Sequence, residues 1–241
     1  MPGNVSYSFG PGGWTAAVRA IIIANVAIFV LANLAPVVLP WLGLRPEAVL
    51  TQGRVWQLAT YVFVHTDLLH ILFNMLAVWM FGVDLERRWG AVAFTKFYFV
   101  VGVGAWISVL LVSLLPFDAV RPTYFALTIG ASGAVMGLLM AWALIFPTRQ
   151  ILIFMLFPVQ ARYAALIYGA IAFYLGIRTE GPPIAHFAHL GGLVVGWLYL
   201  KGGRGLRDDI RYRVTKWRMD RLRRRFNVHD GGRDKWQDRI H

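Results

Sequence analysis

The sequence predicts an all-α membrane protein, a bundle of six transmembrane helices with both termini on the cytoplasmic side. Three observations lead there. Hydrophobic residues fill 58% of the 241 positions and charged residues only 15%, too apolar a mixture for a soluble domain. The apolar residues fall in runs at 19–42, 61–83, 94–115, 131–147, 162–178 and 184–201, each close to the ~20 residues a helix needs to cross the hydrocarbon core. Basic residues concentrate at the C-terminal end: from Lys201 onward lie fourteen of the 24 Lys and Arg against six of the 12 acids. That segment contributes +8 of the net +12, and cationic flanks stay on the cytoplasmic side. An even number of spans then puts the N-terminus there too.

The elements follow in order. Residues 1–16 are polar and glycine-rich and read as a flexible N-terminus. Residues 17–201 form the six-span core. Its first run, preceded by Arg19, is longer than the apolar part of a signal peptide and reads as an uncleaved span. A mixed connection, Gly43–Trp56, follows on the outer side. The second span ends near Gly82, and Leu85–Gly90 (LERRWG) turns the chain on the inner face. Ile151–Pro158 (ILIFMLFP) is apolar but short, and reads as interfacial or as an extension of a neighbouring helix. No internal repeat is visible.

Residues 202–241 form a basic cytoplasmic tail. Beside a membrane span such charge reads as an anchor and not as a nucleic-acid site. Ile210, Val214 and Trp217, and less regularly Leu222 and Phe226, recur among the arginines. The tail is therefore either an amphipathic helix on anionic lipid or a solvated charge run.

Polar side chains within spans are costly and mark function. Here they are His65, His70, Asn74, Ser132, His186 and His189. Spans two, four and six all enter from the outer side. His70 and Asn74 lie early in span two, Ser132 at the start of span four and His189 about five residues into span six. Three spans thus bring polar groups to one level, roughly 10 Å below the outer surface at 1.5 Å per residue. His70 and Asn74, four apart, share a helix face and can both donate to a developing oxyanion. Ser132 sits in Gly130-Ala131-Ser132-Gly133 at a helix start, where free backbone N–H groups point outward. His189 supplies the base that a neutral serine needs. His65 and His186 read as structural or rim residues.

Glycines suggest how the serine and histidine meet. Gly133 and Gly137 are four apart on span four, and Gly192 and Gly196 four apart on span six. Small-residue faces of this kind allow close helix contact in lipid. The resulting centre is a Ser–His dyad without a carboxylate, because the only acids before the tail are Glu47, Asp67, Asp84, Glu86, Asp118 and Glu180, none of them deep in span four or six. The absence of cysteine excludes thiol catalysis and cysteine-ligated metals. The absence of HExxH excludes zincin chemistry, and Asp84 has no intramembrane partner for an aspartyl mechanism.

These segments resemble the rhomboid family. His70-Ile71-Leu72-Phe73-Asn74 is similar to its HxxxN motif, Gly130-Ala131-Ser132-Gly133 to its GxSG motif, and Ala188-His189-Leu190-Gly191-Gly192 with Gly196 to its AHxxG…G segment. Glu86-Arg87-Arg88-Trp89-Gly90 resembles the family's ExRxxG-type turn. The resemblance runs from Trp56 to Gly196, with the motifs in the family's order.

It implies an intramembrane serine endopeptidase that cuts the transmembrane segments of other proteins near their outer ends. Ser132 would be nucleophile and His189 general base and acid, with the oxyanion held by His70, Asn74 and the Ser132 N–H. It implies no metal and no cofactor. The partners would be transmembrane protein substrates and membrane lipid, not nucleic acid, and the short N-terminus and compact core point to a bacterial inner membrane. Two positions depart from the family. Trp56 is followed by Gln57 where an arginine is frequent, which removes an Arg-based brace of the first outer loop. Met136 stands four residues after the serine, where an aromatic often stacks on the catalytic histidine, so that ring is less strictly oriented. The alternative from another class is a catalytically weak or inactive rhomboid-like protein that binds membrane helices. A transporter would need polar groups continuing through the inner halves of the spans, which are apolar.

Overall fold

The computed structural model describes residues 10–118, 120–153, 156–178 and 184–204, together with Met219 and Arg221. The described chain is mostly helical. Its helices are α1 (Ala16–Leu34), α2 (Val38–Leu42), α3 (Pro46–Gln52), α4 (Gln57–Thr60), α5 (Leu68–Trp89), α6 (Ala91–Ser113), α7 (Ser132–Ile145), α8 (Ala161–Arg178) and α9 (Ile184–Leu198). Two strands, β1 (Gln150–Ile153) and β2 (Phe157–Gln160), lie between α7 and α8. The chain divides into two units, 1–198 and 199–241. Of the second, a π-helical turn at Tyr199–Arg204 is described. The tail residues Ile210, Val214, Trp217, Leu222 and Phe226 lie outside the described residues.

Among the described residues three helices have the length and composition to cross a membrane: α1, α5 and α6, at 19, 22 and 23 residues. By these helices the chain is an integral membrane protein. The remaining expected spans are shorter, with α7, α8 and α9 at 14, 18 and 15 residues. At 1.5 Å per residue α7 covers ~21 Å, less than the ~30 Å hydrocarbon core.

Local chemistry explains where the helices stop. The first apolar run, expected to be one helix to Leu42, breaks after Leu34, because Pro36 disfavours the helical conformation at Ala35; α2 is a separate turn. The second run becomes a 3-10 turn at Tyr61–Phe63 and a helix that starts only at Leu68. There Asp67 caps α5, its carboxylate accepting from the His70 N–H at 2.7 Å. Gly90, at φ +81°, ends α5 and begins α6, a conformation that favours glycine. Pro147 likewise stops α7. The run after it, expected to be interfacial or an extension of a helix, is an antiparallel hairpin pairing Gln150 with Gln160 and Ile153 with Phe157.

Where it is described, the segment before α1 contacts the end of α5. Arg87 donates to the carbonyls of Pro11 and Gly13. Glu86, 5% exposed, accepts from the Thr15 hydroxyl at 2.5 Å and from the N–H groups of Ala17 and Val18 at 2.9 and 2.8 Å. A carboxylate from α5 thus caps the N-terminus of α1, satisfying donors the helix cannot satisfy itself.

The connection between α1 and α5 is braced by an amide at position 57 and by Arg54, which donates to the Pro40 carbonyl at 3.3 Å and lies over the Trp41 ring. Gln57 is fully buried; its amide donates to the Pro40 carbonyl at 3.0 Å and its oxygen accepts from the Arg45 N–H at 3.1 Å. Trp56 donates to the Trp41 carbonyl at 2.9 Å and stacks on the Trp41 ring, centroids 5.9 Å apart. The amide at Gln57 has one donor side and one acceptor side, and the loop uses both.

Candidate active site

Close packing of α9 against α7 sets the site. A Cβ on Gly196 would lie 3.0 Å from the Gly137 carbonyl oxygen and 3.1 Å from its Cα, and a Cβ on Gly192 would overlap the Gly133 carbonyl. The two α9 glycines therefore abut the α7 backbone, as the four-residue spacing predicts. The α7 glycines have a second role. Cβ atoms there would press on α6, 2.7 Å from Ala105 Cβ at Gly133 and 2.6 Å from Val101 Cβ at Gly137. The same two positions thus let α6 approach one side and α9 the other.

Ser132 is the first residue of α7 and His189 the sixth of α9. Both line a cavity of about 630 Å³. It is walled by α5 through His70, Phe73, Asn74 and Met80, backed by α7 through Ser132 and Met136, and closed by Ile151 and Leu152 of β1, Tyr168 of α8 and His189 of α9. A second cavity of about 460 Å³ lies beside the Thr128–Gly130 loop and the start of α9. Three residues line both: His70, Ser132 and His189. They stand where the two cavities meet.

The loop before Ser132 is held in place. Gly130 takes φ +104°, and a Cβ there would sit 2.7 Å from both Cε1 and Nε2 of His70. Glycine is therefore needed for the conformation and for the approach of the imidazole. The Gly130 N–H donates to the Tyr61 carbonyl at 3.0 Å, and the Ala131 N–H to Nε2 of His65 at 3.4 Å. His65 is fully buried and packs on His70 with ring centroids 4.8 Å apart, the structural part expected for it. His186 lies 6.5 Å from His189, ring to ring.

With those two amides engaged, the next N–H is that of Ser132, at the first turn of α7. Asn74, one turn below His70, gives one amide hydrogen to the His70 carbonyl at 2.8 Å; its second hydrogen remains. Among the described residues no hydrogen bond joins Ser132 to His189. Such contacts are commonly long without substrate and tighten when it binds. Met136 lines the cavity one turn below Ser132, and a Cβ on Gly192 would lie 3.3 Å from its own Cβ, so it packs beside the helix that carries His189. Leu152 and Tyr168 were not singled out in the sequence. Leu152 sits in a run with no clear periodicity, and Tyr168 is an ordinary aromatic in a span.

The rhomboid domain model matches residues 52–203, more than half of the chain. The chain belongs to the rhomboid family. Among its relatives are Rhomboid protein 1, mitochondrial, of Saccharomyces cerevisiae, 30% identical over 76% of this chain and 51% of that one. Rhomboid protease GlpG of Pectobacterium atrosepticum is 29% identical over 74% and 59%. Rhomboid protease GluP of Bacillus subtilis is 26% identical over 64% and 27%. The chain thus spans only part of each relative's length. These rhomboid relatives come from bacteria and from yeast, so they do not choose the membrane in which this one resides.

Proposed function

We propose that this rhomboid is an intramembrane serine endopeptidase that cleaves transmembrane segments near their extracytoplasmic ends, with Ser132 as nucleophile and His189 as general base and acid. The observation that carries the reading is the convergence of His70, Ser132 and His189, from three helices, on the junction of two cavities. An extended peptide lying through both cavities would pass all three.

In the reaction Ser132 Oγ attacks the scissile carbonyl carbon while His189 takes the hydroxyl proton. The carbonyl oxygen gains the negative charge and accepts from the Ser132 N–H, the remaining Asn74 amide hydrogen and His70. As the C–N bond breaks, His189 gives its proton to the leaving amine. Water then attacks the acyl carbon, its proton going to His189, and the ester bond breaks as that proton returns to Ser132 Oγ. No step calls for a metal or cofactor.

Reconstituted protein should cut a single-span substrate, with the activity lost in Ser132→Ala and in His189→Ala while both variants remain folded. Cleavage that survives Ser132→Ala contradicts the proposal. The six-span topology with both termini cytoplasmic belongs to the same reading. It is supported by α5, α7 and α9 all starting at the level of one cavity. Because the chain has no cysteine, a single cysteine at Leu50 should react with an impermeant thiol reagent from the outer side, and one at Val92 from the inner side.

A second reading rests on Met136 and on the unmade Ser132–His189 hydrogen bond: a weak or inactive member that binds membrane helices. It predicts that substrate helices bind and are released uncut by the wild-type protein.

A further inference from the structure

The β1–β2 hairpin takes no part in the chemistry, yet it walls the cleft that holds it. Ile151 and Leu152 line the cavity of Ser132 and His189. With Met80 and Phe81 of α5 they also line a neighbouring cavity of about 550 Å³ that contains Asp84 and Arg149. The two spaces share this apolar wall, so one surface runs from the level of the nucleophile to the far ends of α5 and α7.

The wall is anchored. Arg149, the residue before β1, donates to the Asp84 carboxylate at 2.6 Å, and Trp142 of α7 donates to the same oxygen at 3.1 Å. At the far end of the hairpin the Ala161 N–H donates to the Arg149 carbonyl at 2.8 Å. Strand alternation buries Ile151 and Ile153 and leaves Leu152 47% exposed. An apolar side chain held half-exposed on a strand, in the nucleophile's own cavity, is placed to touch a chain that extends along that cavity.

A chain cut at Ser132 leaves the scissile bond in two directions, and only one of them runs along this wall. We propose that Leu152 and Met80 form a specificity site for the apolar part of the substrate's transmembrane segment that continues inward from the cut. The site would select apolar side chains one to three turns inward and reject charged ones, since the wall offers them no partner. This rests on the protease reading above.

The lack of cysteine makes the test direct. The probe is a synthetic transmembrane peptide of about 20 Leu and Ala residues with an Ala-Gly-Ser stretch near its outer end, carrying one cysteine walked along its length. The full chain with Ser132→Ala and Leu152→Cys should crosslink to it through a short bis-maleimide at positions inward of that stretch. The yield should recur every three or four residues and be at least about fivefold above that of Val92→Cys on the exposed start of α6, outside the cavity. Equal yields from the two sites overturn the proposal.

In the active protein, Leu152→Asp should lower cleavage about tenfold, mainly through KM, while labelling by a small fluorophosphonate stays within about twofold of wild type. Cleavage unchanged in Leu152→Asp, or falling in step with labelling in both Leu152→Asp and the milder Leu152→Ala, also overturns it. Wild-type protein that is neither labelled nor able to cut would end the protease reading alone, because the crosslinking pattern would still decide whether this wall meets a helix.

Discussion

Two polar regions of this molecule are treated in opposite ways. Near the start of α1, Glu86 accepts three hydrogen bonds, from Thr15, Ala17 and Val18, and its neighbour Arg87 holds two carbonyls of the preceding segment. At the junction of the two cavities, Ser132 and His189 make no hydrogen bond to each other, and Asn74 keeps an amide hydrogen in hand. A buried polar group that is fully partnered fixes structure, whereas Ser132 and His189 are half-buried and face open cavity space. The clamp reads as architecture and the junction is the site proposed for substrate.

The largest effect that would sharpen this contrast is at the junction. Ser132→Ala and His189→Ala should each lower turnover on the order of 10³-fold or more and leave the thermal midpoint in detergent nearly unchanged. A midpoint that fell with the activity would mean that the dyad is structural. Gly192→Val comes next. Its branched side chain would be driven into the Gly133 carbonyl and push α9 from α7, so activity should fall by about a hundredfold, with some loss of stability.

The clamp should show the reverse pattern. Glu86→Ala leaves two backbone N–H groups and a hydroxyl unsatisfied, at a cost on the order of 2–4 kcal/mol, read as a fall of roughly 10 °C in Tm. The activity of the fraction still folded should stay within a few-fold of wild type. Equal loss of activity and stability in that fraction would join the two regions into one. The smallest effect is expected at Met136. Met136→Tyr should raise turnover a few-fold by orienting the His189 ring, and unchanged or lower turnover would show that the methionine already does so.

The site was far more legible in the sequence than the clamp was. His70 with Asn74, and the glycine pairs on α7 and α9, follow the four-residue spacing of a helix, so one-dimensional order already carries their geometry. Glu86 meets Thr15 across 71 positions, and nothing local announces that pairing. Gln57 shows the same limit: its departure from arginine was visible, but not that an amide would bind both sides of the loop. The hairpin was missed for another reason. ILIFMLFP is uniformly apolar, and such a run has no period to separate strand from helix. The first span was drawn too long because hydropathy carries across Pro36 and Pro40 although a helix does not. On the amphipathic pattern of the tail the sequence reading stands alone, since Ile210, Val214, Trp217, Leu222 and Phe226 lie outside the described residues.

The central claim is that Ser132 is a nucleophile activated by His189, and one measurement addresses it most directly. Reconstituted wild-type protein treated with a fluorophosphonate should gain one adduct, located on Ser132 by fragment mass analysis. Labelling should slow on the order of 10³-fold in His189→Ala and should be unaffected in Glu86→Ala once corrected for folded protein. An adduct on another residue, or labelling of Ser132 that proceeds equally fast without His189, would contradict the account.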